Sequence, residues 1–311
     1  MTGDRPFAGI LLMLGFCVLA PLGDGMAKLL GTGTGLLILM LSRFVTQAAI
    51  LGAAALWQGE SLRAPRGTRA LIALRTLLHI GGMGLMFEAL RVLPLADALA
   101  IAFVMPFIAL LLGWALLGET VGPHRISACA VGFVGTLLVI QPNFVAVGAA
   151  ALLPLGVAVC FAGFMLVTRH ISRRLGPVRM QAISGWQASL LIALAVLLVP
   201  DRSLTTLPAA VSDALLLAVM GVMGTAAQLM MTASLRLAPA ATLAPMQYLE
   251  IPFGTAIGWL MFRDLPNGLA ALGIVITVAA GLYVIARERR LSRPVPPVVA
   301  GSAAPGLPPA I

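Results

Sequence analysis

Charge is what this chain has least of. Asp, Glu, Lys and Arg together make up 10% of its 311 residues, whereas 60% are hydrophobic. A soluble domain carries about 25% charged residues, so no water-facing surface can be assembled from what remains. The mean hydropathy of +1.04 agrees, and the chain reads as an all-α integral membrane protein. Acidic side chains are rarer still, 11 against 20 Lys and Arg, for a net charge of +9. In a soluble chain that excess would point to nucleic acid; here the positions of the charges matter more than their sum, and no nucleic-acid partner is expected.

Other absences exclude whole classes of chemistry. The three cysteines, Cys17, Cys129 and Cys160, lie far apart in apolar runs, with no CxxC or Cys/His ligand spacing. A disulfide scaffold and a zinc site are therefore not expected, nor is any other metal or cofactor. There is no P-loop, HExxH or GxSxG, which removes an ATP-driven pump, a zinc protease and an elbow-type hydrolase. Asp24-Gly25-x-Ala27-Lys28 faintly matches the start of a lipid phosphotransferase signature, but the downstream Asp-x-x-x-Asp pair is missing. The first apolar run, from Phe7 toward Leu30, shows no small-residue cleavage site, so it reads as an uncleaved span and not a signal peptide.

What the chain does have is long apolar segments. A bilayer core needs about 20 predominantly apolar residues per helix. Cutting at charges, Gly/Pro clusters and polar turns predicts ten spans, near 7–29, 35–56, 70–90, 95–117, 124–141, 149–168, 182–200, 211–234, 241–262 and 268–286. The short connections leave no room for a soluble catalytic domain. The proline-rich stretch 291–311 reads as a disordered cytoplasmic tail. Starting the chain inside puts Arg5, Arg63, Arg66, Arg69, Arg125, Arg169, Arg173, Arg174, Arg179, Arg236, Arg287, Arg289, Arg290 and Arg293 on one side, against Arg91, Arg202 and Arg263 on the other. This 14-to-3 bias predicts both termini in the cytoplasm, in an inner or plasma membrane.

The chain also resembles itself at a shift of 145 residues. Leu90-Arg91-x-x-Pro94-x-Ala96 recurs as Leu235-Arg236-x-x-Pro239-x-Ala241, Gly113-Trp114 as Gly258-Trp259, Glu119 as Asp264, and Val139-Ile140 as Val284-Ile285. The predicted units are 1–144 and 145–290. Each carries five spans, an odd number, so the second enters the membrane inverted relative to the first. Inverted repeats are a transporter architecture with the substrate near the midplane between the halves.

These residues resemble the drug/metabolite transporter superfamily, specifically its ten-span members with two EamA repeats. The resemblance covers about residues 7–290. It rests on Asp24-x-x-x-Lys28, Arg43, Ala89-Leu90 through Pro94-Leu95-Ala96-Asp97-Ala98, Pro106, Leu117-Gly118-Glu119 and Gln141-Pro142 in the first half. In the second half it rests on Ala244-Pro245-Met246-Gln247-Tyr248-Leu249-Glu250-Ile251-Pro252 and Phe262-Arg263-Asp264-Leu265-Pro266. Arg263 departs from the family pattern, which usually has Gly in that turn. The resemblance implies secondary transport of a small organic metabolite or drug, and the Tyr-Leu-Glu segment looks most similar to members that move S-adenosylmethionine.

A charge at the centre of a membrane helix costs about 2.5–3.5 kcal/mol on insertion scales, so each must be paired, wet or useful. Glu250, with Gln247 and Tyr248 close by in the ninth span, is a candidate for pairing with a cationic substrate group or a coupling proton. A salt bridge to Arg75 or Arg43 that only locks helices is the alternative. Arg75 and His79, four apart on one helix face, are candidates for binding a substrate carboxylate or phosphate; snorkelling of Arg75 to headgroups is the other reading. Asp24 and Lys28 form an acid-before-base i,i+4 pair suited to an intrahelical salt bridge or an outer gate contact. Arg43 can reach either acid, and Glu88 sits at the outer interface. Trp186, with Gln187, and Gln228 offer stacking and hydrogen-bonding surface of the kind a small-molecule pocket needs, or, for Trp186, an interfacial belt. Gly81-Gly82, Gly84 and Gly221-x-x-Gly224 mark close helix approaches. The expected partners are a small metabolite, the lipid bilayer and a proton as candidate coupling ion. A membrane-embedded enzyme and a channel are the competing classes.

Overall fold

The computed structural model of the protein describes residues 5–30, 33–92, 101–140, 152–262 and 268–291. The Pro94–Ala98 motif, the turn around Arg263 and the tail from residue 292 lie outside them. The described residues form helices joined by short turns and loops, with no strand among them. In chain order the helices are α1 (Pro6–Leu30), α2 (Leu36–Trp57), α3 (Arg69–Val92), α4 (Met105–Leu117) and α5 (Pro123–Ile140). They continue with α6 (Leu152–Ser172), α7 (Pro177–Leu198), α8 (Val211–Leu237), α9 (Glu250–Phe262) and α10 (Gly268–Leu291). Five of them, α1, α2, α6, α7 and α8, contain stretches long and apolar enough to cross a membrane.

Local chemistry sets several boundaries. Gly118 ends α4 in the left-handed region at φ 63°, a conformation that costs a Cβ-bearing residue energy, and the next N–H, of Glu119, returns to the Gly113 carbonyl at 3.1 Å. Pro177 occupies the first helical position of α7, where its missing N–H has no bond to lose.

The segment expected as one continuous span at 241–262 is instead broken. A single helical turn, Ala240–Leu243, passes into a 3-10 stretch, Ala244–Leu249, before α9 begins at Glu250. Two prolines account for this. Pro245 and Pro252 cannot donate to the carbonyls four residues earlier, so two α-helical hydrogen bonds are forfeited within two turns and the tighter 3-10 winding fills the gap.

The helices pack mainly in pairs: α1 with α8, α2 with α7, α3 with α6, and α5 with α10, with further contacts between α2 and α8 and between α4 and α6. The largest buried apolar cluster draws Met13 and Cys17 from α1, Phe164 and Met165 from α6, Met231 from α8 and Met246 from the broken segment. Close approaches occur where small residues permit them. A Cβ at Gly221 of α8 would lie 2.5 Å from the Thr46 hydroxyl of α2. At Gly135 it would collide with the Thr277 hydroxyl of α10 and lie 2.9 Å from the Gly273 carbonyl. Gly135→Val is therefore expected to destabilise the detergent-solubilised protein by about 1–3 kcal/mol, the usual cost of overpacking, read as a lower unfolding temperature. Gly84→Val serves as comparison, since nothing lies within 4 Å of that Cβ position.

Candidate functional site

The centre of the bundle is organised by one cation. Arg75, two turns into α3, is fully buried, so it does not snorkel. Its Nε donates to Thr168 Oγ1 at 2.8 Å, Nη1 to Ser184 Oγ at 2.7 Å and Nη2 to Thr232 Oγ1 at 3.2 Å, while its guanidinium lies 4.3 Å from the centroid of the Phe164 ring. One side chain thereby joins α3 to α6, α7 and α8. No described carboxylate forms a salt bridge with it.

His79 stands one turn further along α3. Its ring packs against Phe164 at 4.8 Å and edge-on to Phe44 at 5.1 Å, and Nε2 meets the Gln228 amide at 3.4 Å. From there a chain of amides crosses the bundle. Gln181 donates to the Gln228 carbonyl and to Thr232 Oγ1, and Gln47 donates to both the carbonyl and the side-chain oxygen of Gln181. Three buried amide oxygens, Gln47 Oε1, Gln228 Oε1 and Gln247 Oε1, accept no hydrogen bond among the described residues. A buried acceptor left unpaired costs about 1–3 kcal/mol.

A second group of charges lines a recess. Ile10, Met13 and Cys17 follow one face of α1 at spacings of 3 and 4, all buried. Asp24, seven residues beyond Cys17 on that same inward face, is nevertheless exposed, so the core opens at its level. Arg43 of α2 and Glu250 at the start of α9 keep half-exposed surface there. Asp24 lies within electrostatic reach of both, and Glu250 within reach of Cys17. Arg43 packs onto α8, its Nε 3.0 Å from where a Cβ at Gly224 would stand, and that Nε has no described acceptor. The expected salt bridge from Glu250 to Arg75 or Arg43 is not found among the described residues.

The other expected residues separate. Gln247 is buried with its amide 2.8 Å from Met165 Sδ, whereas Tyr248 turns away to donate to the Phe103 carbonyl at 3.2 Å. The 3-10 winding sends these neighbours in different directions, so Tyr248 does not share a cavity wall with Glu250. Trp186 is 55% exposed on the outer surface of α7, packed beside Gly52. Glu88 is half-buried near the end of α3. The Lys28 side chain lies outside the described residues.

At the arginine-rich end of the bundle, Glu119, just after α4, pairs with Arg169 of α6 at 3.5 Å and accepts from the Ala240 backbone N–H. Arg169 also donates to the carbonyls of Leu235 and Arg236. This contact ties residues of the two sequence units together.

The EamA-like transporter family model matches residues 7–141 and again 148–287, nearly the whole chain in two copies. The chain belongs to the EamA-like transporter family. Among its relatives, a riboflavin transporter of Rhizobium johnstonii is 32% identical over 70% of this chain and 71% of its own length. An S-adenosylmethionine uptake transporter of Rickettsia prowazekii is 24% identical over 91% and 94%. A solved structure, titled only as the crystal structure of a protein, superposes with a TM-score of 0.76 at 19% identity, over 93% of this chain and 98% of that one. It shares the fold.

In this EamA-like transporter, sequence reasoning singled out Arg75, His79 and Gln228 but passed over Gln47, Thr168, Gln181, Ser184 and Thr232, which complete the network. Their signal was present in the i,i+3 pair Gln181/Ser184 and the i,i+4 pair Gln228/Thr232 inside apolar helices. Arg75→Met is expected to lower the unfolding temperature, because it removes three hydrogen bonds from a charged donor to Thr168, Ser184 and Thr232, each worth about 1.5–3 kcal/mol. Solute flux through the same variant is expected to collapse. Retained flux in a folded variant with a lowered unfolding temperature would make Arg75 a helix lock only.

Proposed function

We propose that this protein is a secondary carrier working by alternating access between two inverted five-helix halves, 1–144 and 145–290, with both termini in the cytoplasm. It is a small-metabolite transporter, as its family is. The reading of two inverted halves is supported by the packing. Exchanging each helix for its equivalent five places along turns α1·α8 into α6·α3, α4·α6 into α9·α1 and α2·α8 into α7·α3, all of which occur, and maps α2·α7 and α5·α10 onto themselves. Phe103 and Tyr248, equivalent positions 145 residues apart, touch each other.

The observation that carries the substrate reading is the set of three donor-less amide oxygens beside an aromatic-flanked histidine and an arginine with no carboxylate partner. Such walls suit a flat nitrogen heterocycle bearing N–H and hydroxyl donors. Riboflavin and S-adenosylmethionine, named for the relatives, both have that character. The recess around Asp24, Arg43 and Glu250 would admit the solute from the outer side, and Glu250 would bind a cationic group or a coupling proton. The Glu119–Arg169 pair would close the cytoplasmic side of the same state.

Reconstituted protein is expected to give saturable flux of one member of a labelled panel containing riboflavin and S-adenosylmethionine, measured with and without a pH gradient. Non-saturating ohmic current would mark a channel, and chemical alteration of the solute an enzyme. Glu250→Gln is expected to reduce gradient-driven flux about tenfold, equivalent to about 1.4 kcal/mol, while the assembled protein stays monodisperse. Unchanged flux and pH response would remove Glu250 from the mechanism.

A further inference from the structure

A cavity of about 670 Å³ lies away from the central site, on the flank of the bundle. Its walls come from α3, α7 and the connection between α2 and α3. At its mouth stand Arg63 and Arg69, both exposed, and no acidic residue lines it. Further in, the walls are Ala73, Ile183 and the half-exposed indole of Trp186. The floor includes Gln187, whose side-chain oxygen accepts from Thr76 Oγ1 at 2.9 Å. The Gln187 amide nitrogen makes no hydrogen bond to a described residue and remains available.

Depth identifies the occupant. Arg69 opens α3, and Trp186 stands nine residues inside the start of α7, about 13 Å along the helix axis. A single leaflet is about 15 Å of hydrocarbon. The crevice therefore runs from headgroup level to near the bilayer midplane, cationic at the rim and apolar within. Behind the rim, Arg179, one turn before Ile183, donates through Nη2 to the Arg63 carbonyl at 2.9 Å and so fixes the backbone that carries Arg63.

We propose that this crevice binds one anionic glycerophospholipid, its phosphate held by Arg63 and Arg69, one acyl chain along Ile183 and Trp186, and an ester carbonyl on the Gln187 amide. The site is distinct from the transport path but touches it. Gln187 holds Thr76, the residue next to Arg75, so a bound lipid reaches the central network through a single hydrogen bond.

The test uses full-length protein in detergent titrated with phosphatidylglycerol or phosphatidylcholine, with retained lipid counted by native mass spectrometry. The expected result is one phosphatidylglycerol held about tenfold or more in preference to phosphatidylcholine, given about 1 kcal/mol per basic residue at a membrane surface. The preference should vanish in Arg63→Gln/Arg69→Gln and persist in Arg287→Gln/Arg290→Gln, which removes two cations from α10 at the same end of the bundle. Equal retention of both lipids, or equal loss in the two double variants, would overturn the proposal. Displacement of the lipid by millimolar glycerol 3-phosphate would also overturn it, showing a small-anion site with no role for the acyl chains. Folding of each variant is checked by its unfolding temperature, and a variant that unfolds is replaced by its Arg→Lys counterpart, expected to keep the preference.

Discussion

A guanidinium removed from water has to be satisfied by something, and the arrangement of four helices follows from how Arg75 is satisfied. In the apolar interior an unmade hydrogen bond is costly, so three hydroxyls, from Thr168, Ser184 and Thr232, must arrive together. Their arrival fixes the relative depth of α3, α6, α7 and α8. Apolar contacts alone cannot do this in a membrane, where lipid tails compete equally well for a leucine surface. Hydroxyls neutralise no charge, so among the described residues the Arg75 charge is compensated by dipoles and by the face of Phe164.

The division of polar groups into two zones follows. Around Arg75 and His79 the partners are neutral amides, hydroxyls and aromatic rings, sealed from solvent. In the recess the groups are charged and keep accessible surface. Asp24 can remain accessible on an inward helix face because its neighbours leave a gap there. A solute entering through such a recess would trade its hydration for charges first and for fixed dipoles afterward, which spreads the desolvation cost over two steps.

Most helices were legible in the sequence, because a run of about 20 apolar residues between charges has few other readings in a membrane chain. The i,i+4 placement of Arg75 and His79 and the close approach at Gly221 and Gly224 were equally legible, since both depend only on helical spacing. The break at 244–249 was harder: hydropathy is blind to hydrogen-bond geometry, and Pro245 and Pro252 do not interrupt an apolar run. That break separates Tyr248 from Glu250. The hydroxyl and amide network was invisible for another reason: its members are ordinary neutral residues, and the contacts that give them meaning span 47 to 157 positions along the chain. Glu119 entered the sequence reading only through the repeat and the Leu117-Gly118-Glu119 motif, and only folding reveals its partner Arg169.

The contact between Phe103 and Tyr248 has a geometric consequence. In the proposed two-fold frame, a residue that touches its own equivalent sits on the rotation axis, and points on an axis stay fixed while everything else turns. The hydrogen bond from Tyr248 to the Phe103 carbonyl would then act as a pivot, preserved in both halves of the cycle. Displacement would grow with distance from it, toward the two mouths of the bundle.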